Sequence, residues 1–123
     1  MEQYPESKLT EKIIGLAFES YNDIGPGLLE KVYQNTLKSK FILNKISYKE
    51  ECCCKIVVDN IRVGSFRLDF LVEDKVVVEL KVRDKIYPKD MAQTLTYMKT
   101  YDIKVGLILL FSYQGVKIKR LVI

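Results

Sequence analysis

At 123 residues, with 48% hydrophobic and 29% charged side chains and a net charge of +4, the chain reads as one globular domain over residues 1–123, neither disordered nor fibrous. Histidine is absent, which excludes Ser-His-Asp and Cys-His triads, histidine general bases and imidazole zinc sites, so carboxylates and lysine must carry any catalysis. The excess of Lys and Arg, 20 against 16 acidic residues, is compatible with a polyanionic partner without demanding one.

The first residues, Met-Glu-Gln-Tyr-Pro-Glu, are polar and acidic, with no lipidation or secretory pattern. Thr10 reads as an N-cap with Glu11 in the first turn. Ile13, Leu16, Ala17, Ser20 and Tyr21 then fall on one helical stripe that ends near Ile24. Gly25-Pro26-Gly27 breaks the pattern, and helical spacing resumes from Leu28 through Leu29, Val32, Tyr33, Thr36, Leu37 and Phe41. Glu30 sits near that helix's N-terminus, where the macrodipole alone would favour a carboxylate, and Tyr33 neighbours it three residues on.

Residues 47–58 read as a strand, Asp59-Asn60 as a turn, and Ile61 onward as a second strand. The strand candidate holds Cys52, Cys53 and Cys54, the chain's three cysteines. Neighbours in an extended chain point to opposite faces, so the expectation is three reduced thiols, at least one buried, in a reducing compartment. A reactive thiol or a shared metal is the other reading. After a third strand from Val76 to Val82, Pro88 opens a helix over Lys89–Tyr101 with Met91, Ala92, Leu95 and Met98 as its apolar stripe. Gln93 and Tyr97 lie off that stripe, four apart on a shared face, as a solvated surface or as a pair of polar groups aimed at a ligand. The apolar run from Val105 to Phe111 is far too short to span a bilayer. It reads as a buried strand reached by a parallel crossover. The last strand alternates Val116, Ile118 and Arg120 against Lys117, Lys119 and Leu121.

Chemistry concentrates in residues 67–81. Phe66, Leu68 and Phe70 share one parity and Arg67, Asp69 and Leu71 the other, with Val76, Val78 and Leu80 alternating against Val77, Glu79 and Lys81. A turn made of Glu73, Asp74 and Lys75 centres the ladder on Asp74 and sets Asp69 opposite Glu79, with Lys81 on the same face. A bulge or a two-residue turn would break that register. Directly opposite Cβ atoms lie about 4.5 to 5.5 Å apart, close enough for two carboxylates to share one hard cation. A surface face with a solvated Glu-Lys pair is the plain alternative.

In chain order the parts are a helix with Glu30, a strand with Asp69, a strand with Glu79-Leu80-Lys81 and a helix with Gln93 and Tyr97. This set resembles the PD-(D/E)xK nuclease superfamily over nearly the whole chain, from about Leu9 onward. Gln93-Thr94-Leu95-Thr96-Tyr97 is similar to the Gln-x-x-x-Tyr motif of its RecB-like branch. Gly27-Leu28-Leu29-Glu30-Lys31-Val32-Tyr33 resembles the signature of the GxxExxY proteins, small stand-alone members. Leu68 stands where the superfamily's name has proline, and the cysteine run falls outside every matching motif.

The resemblance implies an α/β fold, an α+β-like mixed sheet flanked by helices with a restriction-endonuclease-like core. It also implies hydrolysis of nucleic-acid phosphodiesters. Asp69 and Glu79 would hold Mg²⁺ or Mn²⁺ with the Leu80 carbonyl, and Glu30 would bind directly or through water. Lys81 would act at the attacking water, and Gln93 and Tyr97 would bond the metal's surroundings or the substrate. Arg83, Lys85, Lys89 and Lys99 are phosphate contacts or a solvated basic face. The partner implied is nucleic acid, DNA ahead of RNA, with no membrane and a cytoplasmic location. For so small a domain, specificity is poor, shared in a homodimer or delegated to a protein partner. The alternative is a silent nuclease-fold module that binds nucleic acid or protein without cleaving.

Overall fold

The computed structural model describes residues 5–123, so most of the N-terminal stretch read for lipidation and secretion patterns lies outside the described residues. Among these, three helices and five strands follow in the order α1 (Ser7–Ile24), α2 (Glu30–Leu43), β1 (Tyr48–Val58), β2 (Ile61–Val72), β3 (Val76–Val82), α3 (Pro88–Thr100), β4 (Val105–Ser112) and β5 (Gly115–Val122). The strands form one mixed sheet in sequential order. Every neighbour pair is antiparallel except β3 and β4, which run parallel and are joined through α3. This is the expected fold class, and β4 is buried along its full length as its unbroken apolar run requires.

Helices α1 and α2 cover one face, packing Ile13, Leu16, Tyr33, Leu37 and Phe41 on Phe70, Val78, Leu80, Leu107 and Leu109. Helix α3 covers the other, setting Tyr97 and Met98 against Leu71, Val77 and Ile108. Three helical details differ from the sequence reading. Thr10 is not an N-cap: α1 begins at Ser7, and the buried Thr10 hydroxyl donates to Ser7 O at 3.1 Å and accepts from Arg120 Nη2 at 3.1 Å. A threonine inside a helix can satisfy its hydroxyl by bonding back along the chain, so its type alone does not mark a cap. In α2 the buried face is Tyr33, Gln34, Leu37 and Phe41, while Leu29 and Val32 are exposed. In α3 the buried residues are Asp90, Thr94, Tyr97 and Met98, so Tyr97 belongs to the core-facing stripe while Gln93 and Ala92 are exposed. The polar groups on that face are tolerated inside because they are satisfied there: Thr94 Oγ1 donates to Asp90 O at 2.9 Å.

Strands β1 and β2 form a long ribbon closed by Asp59 and Asn60, both at positive φ (51° and 63°) as a tight hairpin turn demands. The ribbon changes face midway. Phe70 and Val72 point into the α1/α2 core, whereas Leu68 and Cys54 are buried on the α3 side with Cys52 and Phe66 beside them. The shared parity expected for Phe66, Leu68 and Phe70 therefore fails between Leu68 and Phe70. At the same point Glu51 has a left-handed φ of 54° and falls between the pairs Glu50↔Phe70 and Cys52↔Leu68, with the register unchanged across it. A second irregularity between Ile56 and Val57 precedes the tip. All three thiols are free, with Cys54 buried, Cys52 half-buried and Cys53 exposed.

Candidate active site

The ladder between β2 and β3 comprises Phe70↔Val78, Leu71↔Val77 and Val72↔Val76, the register centred on Asp74. The next position on each strand is an acid, and there the backbone ladder gives way to side chains. The Asp69 N–H donates to Glu79 Oε1 at 2.7 Å, and the Leu80 N–H donates to Asp69 Oδ2 at 2.7 Å. Each carboxylate thus closes an amide of the opposing strand. Glu79 is buried and Asp69 half-buried, so two acids face each other where solvation is poor. Burial first, then the charge of Asp69, pushes the Glu79 carboxyl up to about 8 against the pull of the Asp69 amide and Lys81. Asp69 is raised too, by desolvation ahead of any charge, with the Leu80 amide and Lys81 opposing.

Lys81 Nζ stands 3.8 Å from Glu79 Oε2 and 4.0 Å from Asp90 Oδ1. Asp90 is a residue the sequence reading passed over. Its position three residues into a helix that opens at Pro88 marks a carboxylate reaching back to the N-terminus, and Oδ2 does accept the Tyr87 N–H at 2.8 Å. Oδ1 accepts from Arg83 Nη2 at 2.6 Å, and the Arg83 guanidinium also lies 5.1 Å from the Tyr87 ring centroid. Burial alone would raise the Asp90 carboxyl, but the Tyr87 amide and Arg83 outweigh it and hold it below its usual range.

Glu30 opens α2 on the far side of this cleft. Solvent reaches it, yet crowding by the cleft walls and then Asp69's charge keep its carboxyl above the usual range, against Lys81 and Arg83. The loop before it is pinned by Tyr33, whose hydroxyl donates to Gly25 O at 2.7 Å and whose ring stacks on Phe111 at 4.6 Å. Gly27 has φ of 84°, and a Cβ there would lie 2.9 Å from the Tyr113 hydroxyl, so glycine serves both the turn and the close approach. Beside the end of β3 a cavity of about 190 Å³ opens between Gly27, Leu28, Arg83, Asp84, Ser112 and Tyr113. On the other flank Glu51 pairs with Lys31 at 3.6 Å and with Arg67 at 3.5 Å. Gln93 is exposed on α3, while Tyr97 is buried among Cys54, Leu68 and Met98 and packs on Tyr101 at 4.6 Å. Burial, then the neighbouring Cys52, drives its phenol upward, which keeps it protonated.

Among the described residues no three carboxylates or thiols converge as a ready-made metal cage. Magnesium does not require one, since it retains several waters and is typically held by one or two carboxylates. Two desolvated facing carboxylates fit such an ion: its charge would offset the desolvation, and at Glu79 the repulsion, that otherwise favour the protonated form. No helix among the described residues is long and apolar enough to cross a membrane.

The family model of the PD-(D/E)XK nuclease superfamily matches residues 7–121. No curated protein matches the sequence. Among solved structures, the one described as the crystal structure of SSO0001 is similar at a TM-score of 0.57 and 14% identity, covering 96% of this chain and 79% of that one. An alkaline exonuclease (LHK-Exo) from Laribacter hongkongensis is similar at a TM-score of 0.55 and 12% identity, covering 99% of this chain and 72% of that one. At such identities these likenesses speak for the fold.

Proposed function

Because the chain belongs to the PD-(D/E)XK nuclease superfamily, we propose that it hydrolyses nucleic-acid phosphodiester bonds, with Asp69 and Glu79 holding a divalent metal, Mg²⁺ or Mn²⁺. We further group it with the small GxxExxY proteins, on Gly27, Glu30 and Tyr33. The observation that carries the activity is the reciprocal bridge in which Asp69 and Glu79, two desolvated acids, face each other at the point where the ladder ends. An arrangement with so little intrinsic stability persists for a use.

In this reading the Leu80 carbonyl and Glu30 complete the metal's protein ligands, Glu30 directly or through water. A bound divalent ion supplies charge for the phosphate oxygens and a more acidic water. Lys81 would orient the attacking water and offset negative charge as the phosphorus gains its fifth oxygen. Gln93, exposed on α3, bonds the substrate backbone. Tyr97 acts from within, holding the ribbon that carries Asp69. The substrate is DNA ahead of RNA.

The test is a cleavage screen over single- and double-stranded DNA and RNA with Mn²⁺, Mg²⁺ or EDTA, using wild type and Glu79→Gln. Cleavage that requires metal and is lost in the variant is expected. Metal titration without heat or cleavage on any substrate would sink the reading in favour of a silent binding module.

A further inference from the structure

Two cations of the cleft, Lys81 and Arg83, share one oxygen of a single acid. Asp90 is 3% exposed, and its Oδ1 accepts from Arg83 Nη2 at 2.6 Å and lies 4.0 Å from Lys81 Nζ, while Oδ2 is spent on the Tyr87 amide. The carboxylate is fixed at the helix terminus and cannot swing away without uncapping α3. Lys81 has a second anion, Glu79 Oε2 at 3.8 Å, but that group is the one the proposed metal would claim. Asp90 is then the anion that remains to hold the lysine. Arg83 differs in geometry. A guanidinium carries five N–H donors in a planar fork, so one carboxylate oxygen cannot engage them all, and the Tyr87 ring supports its face. A half-buried arginine anchored at one nitrogen, with its guanidinium carbon 5.1 Å from a ring centroid, is oriented in advance for a planar or tetrahedral oxyanion. It borders the cavity at the end of β3, two residues beyond Lys81.

We propose that Asp90 is a positioning residue that fixes Lys81 and Arg83 from one oxygen, and that Arg83, so held, grips a substrate phosphate beside the scissile one. The inference rests on the nuclease reading and assigns within it a subsite for a second phosphodiester.

Binding and cleavage separate the alternatives. Labelled DNA and RNA oligonucleotides, single- and double-stranded, are titrated in EDTA against wild type, Arg83→Met, Asp90→Asn and the double variant. Arg83→Met is expected to weaken binding about tenfold and to lower the slope of log affinity against log salt by about one. Asp90→Asn is expected to weaken binding as well, although removing a negative charge from a face that meets a polyanion would by itself tighten it. The double variant should bind no worse than Arg83→Met, because both changes break one device. In cleavage with Mn²⁺, Asp90→Asn should lower kcat about 10- to 100-fold through the loosened Lys81, whereas Arg83→Met should act mainly on KM. Tighter binding by Asp90→Asn, or additive losses in the double variant, overturns the proposal.

Should Asp90→Asn fail to fold, Arg83→Lys decides. It keeps the charge and loses the fork, so weaker binding at an unchanged salt slope supports the proposal and wild-type affinity overturns it. If wild type cleaves nothing, the nuclease reading falls by itself, and the binding comparison in EDTA still judges Arg83 and Asp90.

Discussion

A carboxylate that closes a backbone amide is ordinarily stabilised as an anion, and Asp69 and Glu79 each do so for the other's strand. Desolvation wins regardless, joined at Glu79 by the charge of Asp69, leaving both carboxyls above their usual range. Asp69→Asn retains an acceptor for the Leu80 amide while removing one charge. In EDTA above about pH 8, where Glu79 is ionised as well, it should therefore raise stability, by roughly 0.2 to 1 kcal/mol as for other facing like charges. In excess Mg²⁺ the wild type should gain stability that the variant does not, since a ligand stabilises only the state it binds. Thermal unfolding in the two conditions checks both signs, and equal metal-induced gains would remove Asp69 from the metal site. The pH dependence of the metal-free protein has a definite sign as well. Between 4.5 and about 8 the folded protein keeps a proton on Glu79 that the unfolded chain has released. Stability must fall as pH rises through that window and flatten above it. Denaturant unfolding at several pH values in EDTA should give a shallower fall for Glu79→Gln, and an unchanged profile would contradict the assigned burial.

At the scale of elements, the segment between α1 and α2 is held by Tyr33, and at Gly27 it passes too near Tyr113 to admit a Cβ. Gly27→Ala should cost about 1 to 2 kcal/mol, from the left-handed backbone and from crowding. In the background Tyr113→Ala only the crowding share is relieved, so a loss of about 1 kcal/mol should persist; its disappearance in urea unfolding would show that crowding was the whole effect. The register centred on Asp74 was legible because a three-residue turn fixes which residues oppose one another, and the parallel crossover because an apolar run follows a helix. The switch of faces in the ribbon was not. It coincides with a left-handed glutamate, Glu51, and nothing in a glutamate's chemistry announces positive φ. The inward face of α3 was misread for a related reason, since Asp90 and Thr94 are buried by virtue of partners that periodicity cannot see. Of the candidate site, the opposition of Asp69 and Glu79 could be read from spacing. The sharing of Asp90 by Lys81 and Arg83 joins a strand end to a helix start and required the fold.

For the molecule as a whole, the distal ribbon is the unusual feature, because Val57, Val58, Ile61 and Val63 are each more than half exposed and β1 lies at the edge of the sheet. A bare apolar ribbon invites pairing with other chains. Ile61→Lys should leave stability within about 0.5 kcal/mol while reducing scattering from concentrated solutions, and unchanged scattering would show that the tip does not drive self-association. The ribbon joins β3 through three ladder pairs followed by the two acid-closed amides. That seam gives the protein a built-in spectroscopic gauge. The amide protons of Asp69 and Leu80 are shielded from solvent exchange by side-chain oxygens, not by the carbonyls that guard their neighbours. Their deuterium uptake therefore follows what happens to two carboxylates, and any ion that draws those oxygens away must quicken exchange at these two amides even as it slows exchange across the rest of the sheet.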